Sequence, residues 1–197
     1  VNSRNIKHLP FKKLGRNIKA IDTIVAQPRN ISIGNNVGFN FHTLIDGTGD
    51  LYIGNDTIIG PFTVISTANH RYNCLDLPIR NQGSIRKRVV IGNNVWIGAH
   101  CNILAGAEID NGCVIGAGSI ITKHIPKDSI VIGVNEIIKK RDIKDTTAID
   151  DISPRNRAML CLNTDGSFCK IKNLVIKDGY ASLYHCGDCG SFEAGEV

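Results

Sequence analysis

The chain has 197 residues, 42% hydrophobic and 21% charged, the balance of a folded domain with an appendage rather than of a disordered chain. Its formal net charge of +5 is mild, and no Lys/Arg run interleaved with aromatics marks a nucleic-acid surface. No apolar run approaches the ~18 residues of a transmembrane helix, no signal peptide is visible, and seven cysteines without the spacing of a small secreted disulfide framework fit a reducing cytoplasm.

The first elements keep time in sixes. Six-residue steps from Ile33 reach Phe39, Ile45 and Leu51; after a slip of two the count resumes at Ile53, Ile59 and Ile65. It resumes again at Ile91 and runs through Ile97, Ile103, Ile109, Ile115 and Ile121. Glycine often follows the aliphatic residue, as at Gly34, Gly54, Gly60, Gly92, Gly98 and Gly116. The fourth residue after it is small or β-branched, as at Val37, Thr43, Thr57, Thr63, Cys101 and Ser119.

A helix needs a period of 3.6, and glycine at this density would cost about 1 kcal/mol at each interior site. Plain strand alternation has no reason to reset every six residues. The period predicts an all-β fold of short parallel strands joined by tight turns, each strand sending one aliphatic inward to a continuous column. An irregular β-sandwich is the competing fold.

Between Ile65 and Ile91 the rhythm stops, beginning in "ISTANHRYNCLDLPI" (Ile65–Ile79). Stacked coils have flat faces and no pocket, so a projecting loop, here about residues 71–88, supplies a wall. His70 stands at its start.

The repeats resemble those of the hexapeptide acyltransferases, whose fold is a left-handed parallel β-helix, over roughly Gly15 to Arg141. The densest match is "VVIGNNVWIGAHCNILAGAEIDNGCVIGAGSIITKHIPKDSIVIG" (Val89–Gly133). "NH" before the loop and "NNVWIG" after it are similar to the sugar O-acetyltransferase branch, which includes galactoside, maltose, capsule and O-antigen enzymes. The resemblance implies an acetyl-CoA-dependent O-acetyltransferase acting on a sugar or surface-polysaccharide precursor. It also implies a homotrimer with active sites between subunits.

On this resemblance His70 matches the catalytic base, a neutral imidazole that takes the hydroxyl proton during attack on the thioester. Asn40, in "FNFHTLID", matches an acceptor-binding asparagine; Asp46, one residue off the family register, and Trp96 are matched to the substrate side as well. Ala99 and Ala117 match small turn residues along the pantetheine arm, and Thr122, Lys123, Lys140 and Arg141 match the nucleotide end of the cofactor. There are departures. "GVNE" (Gly133–Glu136) stands where the family has Gly-x-Pro-Ala, and Ile137 where an arginine is frequent. Arg86, Lys87 and Arg88 are available to compensate or to meet an anionic acceptor. His100 and His124 read as coil-surface residues, and Cys101 and Cys113 as core.

Beyond Arg141 the rhythm ends, which predicts a β-helix domain over 1–141 and an extension over 142–197. "LCLNTDGSFCKI" and "LVIKDGYASLY" each carry Asp-Gly at a turn and predict two β-hairpins. Cys161 and Cys169 would face each other across the first hairpin, and Cys186 and Cys189 have knuckle spacing. The four are candidates for a structural zinc, as against a disulfide or free thiols.

Other chemistry on the same scaffold stays open: antibiotic O-acetylation of the streptogramin or chloramphenicol type, and N-acetylation of an amino sugar. From different classes come a scaffold without catalysis and a γ-type carbonic anhydrase, whose metal-binding histidine trio His70, His100 and His124 are not spaced to give.

Overall fold

The computed structural model describes residues 2–3 and 6–141. They fall in one unit that ends at Arg141. The predicted extension, with Cys161, Cys169, Cys186 and Cys189, lies outside the described residues. Among the described residues no helix is long and apolar enough to cross a membrane.

The chain winds through three faces in the same order in every coil. The first face stacks Lys13–Leu14, Ile31–Ile33, Leu51–Ile53, Val89–Ile91, Glu108–Ile109 and His124–Ile125. The second stacks Lys19–Ala20, Gly38–Phe39, Ile58–Ile59, Trp96–Ile97, Val114–Ile115 and Ser129–Ile132. The third stacks Thr23–Ala26, Leu44–Asp46, Val64–Ile65, Asn102–Ile103 and Ile120–Ile121. These neighbours pair in parallel, as a winding chain requires. Two strands run against them: Asn2–Ser3 along Thr23–Ala26, and Glu136–Lys140 along Ser129–Ile132. The result is a parallel β-helix.

The core is the interior of this prism. Ile53, Ile91 and Ile109 stack on the first face, Ile59, Ile97 and Ile115 on the second, and Ile45, Ile65 and Ile103 on the third, all fully buried. Each buried isoleucine side chain contributes roughly 1.5–3 kcal/mol relative to exposure. The two-residue slip in the rhythm has a physical cause. In the lower coils the first face sends two residues inward per strand, Ile31 with Ile33 and Leu51 with Ile53. Ile33 pairs with Ile53, a 20-residue coil, whereas Ile91 pairs with Ile109, an 18-residue one.

The corners explain the recurrent "IGNN" and "IGND". The carboxamide oxygens of Asn55, Asn93 and Asn111 accept the backbone N–H of Asn35, Asn55 and Asn93, one coil to the next, at 2.7–2.8 Å. The residues that follow, Asn36, Asp56 and Asn94, take φ of 57°, 57° and 53°, a left-handed conformation that Asn and Asp tolerate. Glycine before the corner answers to close approach. A Cβ on Gly60 would lie 2.6 Å from the Ala99 nitrogen, and one on Gly98 2.6 Å from that of Ala117.

Candidate functional site

The chain leaves the solenoid at the corner between the third and first faces. Thr67, buried, is the last residue inside; its hydroxyl donates to the Asp46 carbonyl at 2.9 Å and accepts the Gly49 N–H at 2.6 Å. Ala68–His70 then pairs antiparallel with Ser84–Arg86. The excursion therefore begins three residues earlier than the expected 71–88, as a two-stranded ribbon with a loop at its tip. The reason is the free backbone of residues 67–71, which finds partners in residues 83–87: Lys87 N–H donates to the Thr67 carbonyl at 2.9 Å and Arg71 N–H to the Gly83 carbonyl at 3.0 Å. Val89 returns to the first face beside Leu51.

The loop has its own clamp. Gln82 Oε1 accepts the Cys74 N–H at 3.0 Å, and its Nε2 donates to the carbonyls of Cys74 and Leu77 at 2.7 and 2.8 Å. Leu75, Leu77 and Ile79 remain exposed, Leu75 at 98%.

His70 is exposed, and neither ring nitrogen has a hydrogen-bond partner among the described residues. Its register partner is Ser84, and Arg86 lies opposite Ala68. Successive residues of a strand alternate faces, so His70, Ser84 and Arg86 share one side of the ribbon and Asn69 and Ile85 the other. Sequence reasoning passed over Ser84 and offered Arg86 only within a basic trio; the pairing of the ribbon places both beside His70.

Asp46 occupies the same corner one coil below, with Oδ1 accepting the Thr48 N–H at 3.0 Å and hydroxyl at 2.6 Å. Thr122 and Lys123 sit at this corner near the top. Asn135, within the departing "GVNE", clamps Thr122: Oδ1 accepts its N–H at 2.9 Å and Nδ2 donates to its hydroxyl at 2.8 Å.

The corner between the second and third faces gathers another set. Asn40 is exposed; its Oδ1 accepts the Phe41 N–H at 2.8 Å, which leaves Nδ2 pointing at no protein partner among the described residues. Ala99 and Ala117 occupy equivalent turns above it, and their N–H groups donate to no acceptor among the described residues. A Cβ on neighbouring Gly118 would meet nothing within 4 Å, so this edge is open enough for an extended arm. The rings of His42, Phe62 and His100 line the same edge: His42 is tilted at 37° to Phe62 with centroids 5.2 Å apart, and Phe62 stacks on His100 at 4.9 Å. Trp96, 56% exposed, lies on the outer second face between Ile58 and Val114.

Lys140 and Arg141 lie at the third corner, between the first and second faces. The Lys140 ammonium donates to the carbonyls of Pro126 and Lys127 and to the Ser129 hydroxyl, and Arg141 to the Gly112 carbonyl at 2.8 Å. The expected site residues thus divide among three corners of one chain: His70, Asp46, Thr122 and Lys123 at one, Asn40, Ala99 and Ala117 at another, Lys140 and Arg141 at the last. His124, on the outer first face, holds Asp110 at 3.1 Å. His70, His100 and His124 do not converge, and among the described residues no group of three or more His, Cys, Asp or Glu is arranged to hold a metal. Cys101 and Cys113 are core residues, and burial pushes both thiols above their ordinary pKa.

Residues 88–123 match the family model for the bacterial transferase hexapeptide (six repeats). The galactoside O-acetyltransferase of Lactococcus lactis is 36% identical over 115 residues, 57% of this chain and 54% of that one. A solved galactoside acetyltransferase in complex with coenzyme A superposes with a TM-score of 0.64 at 34% identity, covering 68% of each chain. The chain belongs to the hexapeptide-repeat acyltransferases. A maltose O-acetyltransferase from Clostridium difficile gives a TM-score of 0.63 at 27% identity, over 72% of this chain and 80% of that one. The solenoid of this hexapeptide-repeat protein is the left-handed parallel β-helix of those neighbours. The chain spans about half the length of the curated relatives it matches.

Proposed function

We propose that the chain transfers acetyl from acetyl-CoA to a hydroxyl of a sugar or surface-polysaccharide precursor. The observation that carries the reading is the placement of His70. It stands at the root of an excursion from a regular scaffold, with both ring nitrogens free of partners among the described residues. Its family relatives include named sugar O-acetyltransferases, one of them solved with coenzyme A.

The neutral imidazole of His70 accepts the hydroxyl proton as the oxygen attacks the thioester carbonyl. The tetrahedral oxyanion is held by a backbone N–H at a tight turn, for which the Ala99 N–H is the donor we assign. Collapse breaks the C–S bond, and the imidazolium returns its proton to the departing thiolate. The pantetheine arm runs along the open edge at Ala99, Ala117 and Gly118, and Asn40 Nδ2 orients the acceptor.

Asn40 and Ala99 lie at a different corner from His70, so one chain does not complete this site. A second copy, set corner to corner in a homotrimer, supplies the missing side. The exposed Leu75, Leu77 and Ile79 of the excursion, and Ile58 and Trp96 of the second face, offer it apolar contact.

The test is release of free thiol from acetyl-CoA over paired hydroxyl and amino sugars, wild type against His70→Ala. The expected result is a loss of about 10²–10⁴ in kcat for the variant, with hydroxyl acceptors favoured. Undiminished activity in His70→Ala removes His70 as base. A monomer in light scattering removes the shared site.

A further inference from the structure

The excursion is strongly basic. Residues 71–88 hold Arg71, Arg80, Arg86, Lys87 and Arg88 against the single acid Asp76. All five cations are exposed, and none makes a side-chain hydrogen bond or ion pair among the described residues. A solvated charge run is the ordinary explanation of such a stretch. The ribbon register sets one of the five apart.

Rungs at Thr67–Lys87 and Arg71–Gly83 are hydrogen bonded, so His70–Ser84 and Ala68–Arg86, which alternate with them, are the non-hydrogen-bonded pairs. Side chains approach most closely at such pairs. His70 and Arg86 are diagonal neighbours on one face, and such neighbours lie about 7–8 Å apart, with their Cβ atoms somewhat closer. An arginine side chain spans that gap. Lys87 points away and lays its stem beside Gly106.

A cation beside the base cannot serve the phosphates of coenzyme A. When the thioester carbonyl is at His70, the pyrophosphate lies at the far end of the pantetheine arm. What does lie beside His70 is the acceptor, and the planar fork of arginine suits a phosphate or carboxylate bidentately. We propose that the acceptor is an anionic sugar whose phosphate or carboxylate is bound by Arg86, next to the hydroxyl that His70 deprotonates. This rests on the acetyl-transfer reading above and narrows its substrate class.

The experiment is calorimetric titration of the full chain, saturated with coenzyme A, with a panel of hexoses. Each hexose is supplied as methyl glycoside, 1-phosphate and uronate, against wild type, Arg86→Gln, Arg86→Lys and the surface control Lys19→Gln. In wild type the phosphate or the uronate binds at least about tenfold tighter than the neutral glycoside, and the two arms say which anion is preferred. The gap narrows with added salt, closes in Arg86→Gln, is partly kept in Arg86→Lys and persists in Lys19→Gln.

Equal binding of charged and neutral sugars overturns the proposal, as does an unchanged gap in Arg86→Gln or no binding of any charged sugar. A gap seen without coenzyme A and abolished by it assigns the cation to the cofactor and overturns it too. Thiol release with neutral glycosides alongside any of these results leaves acetyl transfer standing. A charge gap that depends on Arg86 without thiol release from any acceptor supports the anion site and removes acetyl transfer.

Discussion

His70 and Ser84 oppose each other as a non-hydrogen-bonded pair of the ribbon at the root of the excursion. At such a pair the Cβ atoms are about 4.5–5.5 Å apart, so a ring at position 84 would pack on the imidazole and cover it. Ser84→Tyr is expected to lower kcat/KM at least about tenfold, ~1.4 kcal/mol, while leaving thermal stability near wild type because the ribbon lies outside the core. Ser84→Ala keeps most activity. Steady-state kinetics and a melting curve on the same samples check both.

Gln82 closes the loop with three hydrogen bonds to Cys74 and Leu77, each worth about 0.5–1.5 kcal/mol locally. Gln82→Ala is expected to open residues 71–83 to trypsin at Arg71 and Arg80 and to raise KM. The midpoint of global unfolding stays put. Limited proteolysis followed by mass spectrometry reads the outcome.

Two glycines make opposite predictions. A methyl on Gly98 would meet the Ala117 nitrogen at 2.6 Å and its Cα at 2.8 Å, forcing stacked strands apart. Gly98→Ala should cost about 1–3 kcal/mol or more. Gly118 has open space but φ of 74°, so Gly118→Ala costs about 1–2 kcal/mol through strain alone. It should also raise KM for acetyl-CoA, since the methyl stands on the edge proposed for the arm. Thermal melts and acetyl-CoA titrations separate the two effects.

Thr63 is fully buried; its hydroxyl donates to the Gly98 carbonyl at 2.9 Å and accepts the Cys101 N–H at 3.2 Å. Thr63→Val keeps the shape and strands both partners, for an expected loss of about 1–3 kcal/mol per stranded group. Thr63→Ser keeps the bonds and should lose far less. Chemical denaturation of the two variants is the comparison.

Cys101 and Cys113 set a pH limit. Burial raises both thiols above their ordinary value of 9.0, so the folded chain holds these protons after the unfolded chain has released them. Their contribution is full below pH 9.0 and is lost as pH rises beyond it. The melting temperature should fall over that alkaline range, and a Cys101→Val, Cys113→Val double variant should flatten the fall. Thiol labelling should reach half-exposed Cys74 before Cys101 and Cys113.

Much of the fold is legible in single residues. Ile97, Ile103, Ile109 and Ile115 are spaced by six because each face of a coil takes six residues, and every one is buried as the count predicts. The ribbon is not legible: nothing in "NHRYNCLDLPIRNQGSIR" alternates in a way that announces His70 opposite Ser84, because the pairing arises from backbone groups left over when the coil opens. The candidate site residues are named by motif, and their corners are not. Motif matching finds Asn40, His70 and Lys140 separately, but which corner each occupies depends on counting coils. Lys140 and Arg141 carry a further lesson, since a basic pair at the end of a repeat reads alike whether it meets phosphate or backbone carbonyls.

A stack of parallel rungs ends in a row of unpaired amides, an edge on which another chain can add itself. Glu136–Lys140 runs back antiparallel over the last long strand of the second face, and the Lys140 ammonium plugs three oxygens of the Pro126–Ser129 turn. Asn2–Ser3 runs against the flow at the other end. Removal of Lys140 would therefore show first in colloidal behaviour: end-to-end fibre growth, seen by electron microscopy, from molecules whose individual coils are still wound.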